Sequence, residues 1–95
     1  MRARLVRLPA EVQQSIRSLH PEQKRRVRTA LDRLLSEPDA GKELKGDLGG
    51  WRSLRLGRFR IVYRATRTTI DVAAIGPRST IYLDAARLTR SKRRK

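Results

Sequence analysis

The 95-residue sequence has no cysteine and only one histidine, one methionine, one tryptophan and one phenylalanine, with two tyrosines. Without cysteine there are no disulfides, no zinc ribbon and no thiol chemistry. His20 alone supplies neither a histidine metal site nor a Ser-His-Asp triad. No apolar run approaches the roughly 20 residues of a membrane span. The opening Met1-Arg2-Ala3-Arg4-Leu5 has no apolar h-region, so a secretory signal is not expected, and the expected setting is cytoplasmic, without membrane contact. Acidic residues are scarce too: 9 Asp+Glu face 24 Lys+Arg, a net charge of +15. Such a chain seeks an anionic partner. A chain of this length is one domain's worth and buries only about 60–65% of its unfolded surface, leaving a small core and little room for a deep pocket.

What is present is arginine, unevenly placed. Residues 1–50 hold 11 basic and 7 acidic side chains, whereas residues 51–95 hold 13 and 2. Of the 24 cations, 19 are Arg, whose rigid fork of donors matches phosphate oxygens and stacks on bases. Solubility alone does not require this asymmetry, so the C-terminal half reads as a phosphate-facing surface.

The apolar pattern gives the order of elements. Ala3 to Leu8 alternates as a first strand, with Arg4, Val6 and Leu8 on one side, and Pro9 ends it. Val12, Ile16 and Leu19 predict a short helix over 10–19. Pro21 and Glu22 open a second helix. Its apolar stripe, Val27, Ala30, Leu31, Leu34 and Leu35, is the strongest periodicity in the chain, and Ser36-Glu37-Pro38 stops it. Residues 38–50 read as loop. Lys42 to Gly46 is not a Walker loop, because no Gly-Lys-Ser/Thr leads into a helix. Strands are predicted over 51–56, 59–64 and 70–75. Gly57-Arg58 forms a type II′ turn between the first two, and a short helix follows at 83–88.

This order, β-α-α-β-β-β, implies an α+β domain: an N-terminal strand and a helical hairpin packed on one face of an antiparallel β-sheet. The expected domain spans 1–88, with a basic tail at 89–95. Leu54 and Leu56 are expected to face the helices, and Ser53 and Arg55 the solvent on the open side.

Arg55 and Arg60 flank the tight hairpin and come within reach of each other. Like charges directly opposite need solvent or a bound anion. Arg78 and Tyr82 follow the last strand, so Arg55, Arg60, Arg78 and Tyr82 are expected to converge on one face. Such a set suits phosphodiester chemistry. Arginines hold the phosphate and stabilise developing charge. A tyrosine stacks on a base or carries a proton. RNA brings its own 2′-OH nucleophile, so neither metal nor cofactor is required. The plainer reading has Arg55 and Arg60 solvating a sheet face and Tyr82 covering a core edge; spacing alone does not separate the two.

Residues 41–63, Gly-Lys-Glu-Leu-Lys-Gly-Asp-Leu-Gly-Gly-Trp-Arg-Ser-Leu-Arg-Leu-Gly-Arg-Phe-Arg-Ile-Val-Tyr, resemble the central signature of the RelE/ParE toxin superfamily. The run from Ile75-Gly76-Pro77-Arg78 to Tyr82 resembles its C-terminal block. The resemblance covers about residues 3–88. It implies a toxin of a type II toxin–antitoxin system, held inactive by a cognate antitoxin. RelE-type members cut mRNA in the ribosomal A site by 2′-OH attack on the adjacent phosphate, whereas ParE-type members poison DNA gyrase. Carried over by position, Arg55 and Arg60 fall on basic positions of the RelE active face, Arg78 on its C-terminal Arg and Tyr82 on its C-terminal Tyr. Arg52, Arg58 and the tail cations Lys92, Arg93 and Arg94 are the expected RNA- or ribosome-contacting residues.

Two positions depart from the pattern. Ser53 stands where a basic residue is usual, and Pro77 where a His is common. Arginine does not readily give up its proton, so Tyr82 is the only candidate base among the four. The leading expectation is a metal-independent, ribosome-dependent mRNA endonuclease whose partners are ribosome, mRNA and antitoxin. The alternatives are a ParE-like inhibitor of DNA gyrase and a catalytically weak RNA-binding orphan toxin.

Overall fold

Beginning at its N-terminal edge, the chain lays down β1 (Leu5–Arg7), α1 (Ala10–Arg17) and α2 (Pro21–Ser36), then β2 (Lys42–Glu43), β3 (Arg52–Leu56), β4 (Phe59–Ala65) and β5 (Thr69–Pro77). The structure, a computed structural model, describes residues 4–77, 81–82 and 85–87. Pro21 is the first residue of α2, where its missing N–H costs nothing and its φ already suits a helix. The helix ends at Ser36, two residues before Pro38. Among the described residues, no helix is long and apolar enough to cross a membrane.

The five strands form one sheet in the order β1-β5-β4-β3-β2. The meander β2 to β5 is antiparallel, as the alternation predicts. The expected all-antiparallel sheet needs one correction, because β1 pairs parallel to β5. The helical hairpin carries the chain from β1 at one edge of the sheet to β2 at the other, and the meander then brings β5 back beside β1 in the parallel sense. A second difference is β2, which lies inside the stretch expected to be loop and pairs Lys42 with Ser53 and Glu43 with Arg52. Two residues are too few to show an alternation. In the β3–β4 hairpin, φ is +61° at Gly57 and positive at no non-glycine residue, the pattern of a type II′ turn.

The helices cover one sheet face. Val27, Ala30 and Leu34 of α2 and Val12 of α1 pack on Leu54, Ile61, Tyr63, Ile70, Val72 and Ile75. Val6 and Leu8 join them, as the first strand's alternation implied. The second face was expected to be open and is not. Leu48, Trp51, Ile81 and Ala85 form a second apolar cluster there on Val62, Ala73 and Ala74. A bulge makes this possible: Val62 pairs with Ala74 and Tyr63 with Val72, so Ala73 is extra and two successive alanines serve the second cluster. Helical backbone at Ile81, Tyr82 and 85–87 provides the cover. Ser53 is therefore buried, contrary to expectation, while Arg55 is exposed as predicted.

Candidate functional site

The site is built on the end of the β3–β4 hairpin. Strand pairing sets Arg55 directly opposite Arg60. Ser53 and its partner Val62 form the next pair on the same face, two residues away along each strand. Like charges so placed repel by a few tenths to about 1 kcal/mol. Arg55 is exposed and Arg60 half-buried, so water relieves only part of the repulsion. Gly76 of β5 lies opposite Arg60 on its other side and adds no side chain there. The result is a pair of cross-strand arginines at the hairpin end, the kind of pair that a shared anion relieves.

Tyr82 reaches this face from the C-terminal helical residues. Its ring packs on the second apolar cluster, and its hydroxyl lies 3.2 Å from Ser53 Oγ. Tyr82 thus closes a core edge, as the plainer reading expects, with its phenol directed at Ser53. Ser53 and Arg55 are about 7 Å apart along the strand at two residues of rise. Arg78, Lys92, Arg93 and Arg94 lie outside the described residues.

Arg52 takes a different direction. It faces the helix side, where Nη1 donates to the Gly41 carbonyl at 2.8 Å and Nη2 lies 3.7 Å from the Asp39 carboxylate. It clamps the 38–41 loop together with Tyr63, whose hydroxyl donates to the Pro38 carbonyl at 2.7 Å and accepts from the Gly41 amide at 2.8 Å. Burial pushes the Tyr63 phenol above its ordinary value of 10.0, opposed by the Gly41 hydrogen bond and by Arg52. Gly41 belongs here for steric reasons, since a Cβ would stand 2.7 Å from Tyr63 Cε1. Arg58 occupies the exposed hairpin turn.

Sequence reasoning passed over Asp71. This buried carboxylate lies on the second face, 3.4 Å from Arg7 Nε and 3.4 Å from Arg64 Nη2. Arg64 in turn stacks over Trp51, 4.6 Å from the ring centroid. These contacts engage Arg64, one of the cations that composition alone assigned to a phosphate surface, together with Arg7 of β1. The signal was available: a lone Asp within the apolar run Ile70-Asp71-Val72. Among the described residues, no three His, Asp or Glu side chains group to hold a metal ion.

Residues 5–82 match the family model described as the ParE toxin of the type II toxin–antitoxin system, parDE. The chain belongs to this toxin family. The toxin matches no curated protein. Its fold is similar to the Mycobacterium tuberculosis RelBE2 toxin–antitoxin complex, with TM-score 0.70 and 29% identity over 80% of this chain and 99% of the other. It is also similar to the archaeal RelE–RelB complex of Pyrococcus horikoshii, with TM-score 0.65 and 26% identity over 82% and 97%. A mutant of the E. coli toxin RelE in the free state has TM-score 0.74 over 90% and 96%; at 19% identity it shares the fold. The α+β architecture expected from the sequence is that of RelE toxins.

Proposed function

We propose that this toxin is a ribosome-dependent, metal-independent mRNA endonuclease, neutralised by a cognate antitoxin and acting in the cytoplasm. The observation that carries the reading is the Arg55–Arg60 pair on the face where the Tyr82 phenol meets Ser53. Two opposed guanidinium groups bind the non-bridging oxygens of one phosphodiester. The mRNA 2′-oxygen attacks the adjacent phosphorus and the bond to the 5′-oxygen breaks, giving a 2′,3′-cyclic phosphate and a 5′-hydroxyl. The 2′-OH proton leaves and the departing 5′-oxygen gains one. Arg55 and Arg60 stabilise the negative charge that builds on the non-bridging oxygens in between. Tyr82 is the group placed to stack on a base or relay a proton. By resemblance Arg78 joins the phosphate, while Arg58 and the tail residues Lys92, Arg93 and Arg94 add attraction to rRNA. The antitoxin is supported by the two similar solved structures that are toxin–antitoxin complexes.

The test is primer extension on a defined mRNA with purified toxin, with and without translating ribosomes. Cuts that need ribosomes and vanish in Arg55→Ala and Tyr82→Phe support the proposal. A second reading, inhibition of DNA gyrase, is favoured by the family model's ParE description. Intact mRNA together with blocked supercoiling by the same preparation decides for that reading.

A further inference from the structure

Beyond the Ser53–Tyr82 contact, the second sheet face carries a further row of side chains. Along β4, alternate residues Arg60, Val62 and Arg64 share this face, with Arg55 and Ser53 of β3 beside the first two. Arg64 is four residues from Arg60, about 13 Å at the rise of a strand. There it lies over the ring of Trp51, 4.6 Å from the centroid. Strand β5 sets Asp71 opposite Arg64, and β1 sets Arg7 opposite Asp71. Trp51 is buried, whereas the Arg64 side chain is 44% exposed. A guanidinium with an indole beneath it and this much exposure presents its other plane to solvent. Asp71 holds it loosely, with Nη2 3.4 Å from Oδ2. The other carboxylate oxygen, Oδ1, lies 3.4 Å from Arg7 Nε but accepts no hydrogen bond from the described residues. Arginine carries five N–H donors, so Arg7 and Arg64 each keep most of theirs for another partner. Arg67 in the exposed β4–β5 turn adds charge at this end of the sheet, as does Arg4, whose Nε donates to the Thr66 carbonyl at 2.7 Å.

We propose that Arg64, backed by Trp51, is a stacking shelf for one base of single-stranded RNA, with Arg7 on an adjoining phosphate. The inference deepens the RNA-cleaving reading, on which it rests for the strand it names. A guanidinium plane stacks on an unpaired base as an aromatic ring does, and an indole underneath fixes that plane in place. Asp71 decides between ligands. Its carboxylate lies between the two arginines and opposes a free anion settling there. A base is neutral and meets Arg64 on the solvent side, away from the buried carboxylate, while the strand's phosphate reaches the more exposed Arg7. Three features then follow one another along the same face: the Arg55–Arg60 pair, the Ser53–Tyr82 contact and the shelf. A strand whose scissile phosphate is held by the pair continues along the face to Arg64. The shelf thus holds a nucleotide away from the cut and takes no part in the bond breaking.

The experiment titrates the full-length toxin, without ribosomes, with two dye-labelled strands of equal length: an oligoadenylate and an abasic RNA strand that keeps only the ribose-phosphate backbone. Dye anisotropy gives the affinity. Trp51 is the chain's only tryptophan, so its emission reports on the shelf alone. The expected result is saturable quenching of Trp51 by the oligoadenylate, with binding about 10-fold weaker and emission unchanged for the abasic strand. Arg64→Lys keeps the charge beside Asp71 and removes the plane. It should lower the affinity for oligoadenylate about 10-fold, to that of the abasic strand, with the circular dichroism of wild type. Arg7→Gln should weaken both strands by the same factor, as loss of a phosphate contact does. Equal affinity of wild type for the two strands, with unchanged emission, shows attraction by charge alone and overturns the shelf. Wild-type affinity for oligoadenylate in Arg64→Lys overturns it too. The cleavage reading fails separately: quenching by a toxin that leaves mRNA intact on ribosomes keeps the shelf and removes cleavage, whereas cleavage without quenching removes the shelf alone.

Discussion

The hydroxyls of Ser53 and Tyr82 lie 3.2 Å apart and join the buried middle of β3 to the C-terminal helical residues across 29 positions of sequence. Ser53 stands where the superfamily usually carries a basic side chain. Here a small hydroxyl takes that place and meets the chain's own tyrosine. The distance is long for an O–H···O bond, so its net contribution falls at the low end, about 0.5 kcal/mol. Urea denaturation of Ser53→Ala, Tyr82→Phe and the double variant should give a coupling energy of that size. Cleavage should fall far more in Tyr82→Phe than in Ser53→Ala. Equal losses would mean that the phenol acts only by fixing the fold.

Arg55 and Arg60 repel in the free protein, so their removal should separate stability from activity. Arg55→Ala and Arg60→Ala should each retain or gain stability, up to about 1 kcal/mol. At this chain length that is a rise in Tm of about 4–8 °C. Both should abolish growth arrest. A clear drop in Tm would show instead that the pair has structural partners, and the phosphate-binding argument would lose its basis.

Much of the fold is legible because its physics is local. The α2 stripe Val27, Ala30, Leu34 has one helical solution, and the Gly57-Arg58 turn between alternating strands has one hairpin solution. The pair Arg55 and Arg60 follows from that hairpin register alone. The second face was not legible. Its cover comes from Leu48, Trp51, Ile81 and Ala85, four scattered residues with no shared period, and from a bulge at Val62/Tyr63 that shifts two alanines onto one side. Arg52 and Arg64 were misjudged by composition for a similar reason. A count of cations does not show which ones are spent on Gly41 and Asp39, or on Asp71 and Trp51.

Asp71 offers a measure of that internal use of charge. It is buried between Arg7 and Arg64, yet both cations are about half exposed or more, so screening discounts their attraction. Asp71→Ala should cost about 1–2 kcal/mol in urea denaturation, well below the 3–5 kcal/mol of breaking a fully buried pair. It should also strengthen non-specific RNA binding by freeing two cations, visible as a steeper salt dependence, by up to about 0.7 log units per log of salt for each new phosphate contact. An unchanged salt slope would show that Arg7 and Arg64 stay away from RNA even when released.

Tyr63 anchors the 38–41 loop from inside the core, and its two hydrogen bonds make the loop's position depend on the protonated phenol. Tyr63→Phe leaves the Gly41 amide and the Pro38 carbonyl without that partner, a loss of about 1–3 kcal/mol. Gly41→Ala should cost at least as much, because its Cβ meets the Tyr63 ring at 2.7 Å. The pH dependence has a definite sign. Burial raises the folded phenol above 10.0, so the folded state holds its proton where the unfolded chain releases it. The stabilisation is complete below pH 10 and declines as pH climbs from there through the folded value. Subtracting the stability of Tyr63→Phe from that of wild type isolates this slope from the titration of the lysines. A difference that stays flat above pH 10 would place the phenol in water and contradict its burial.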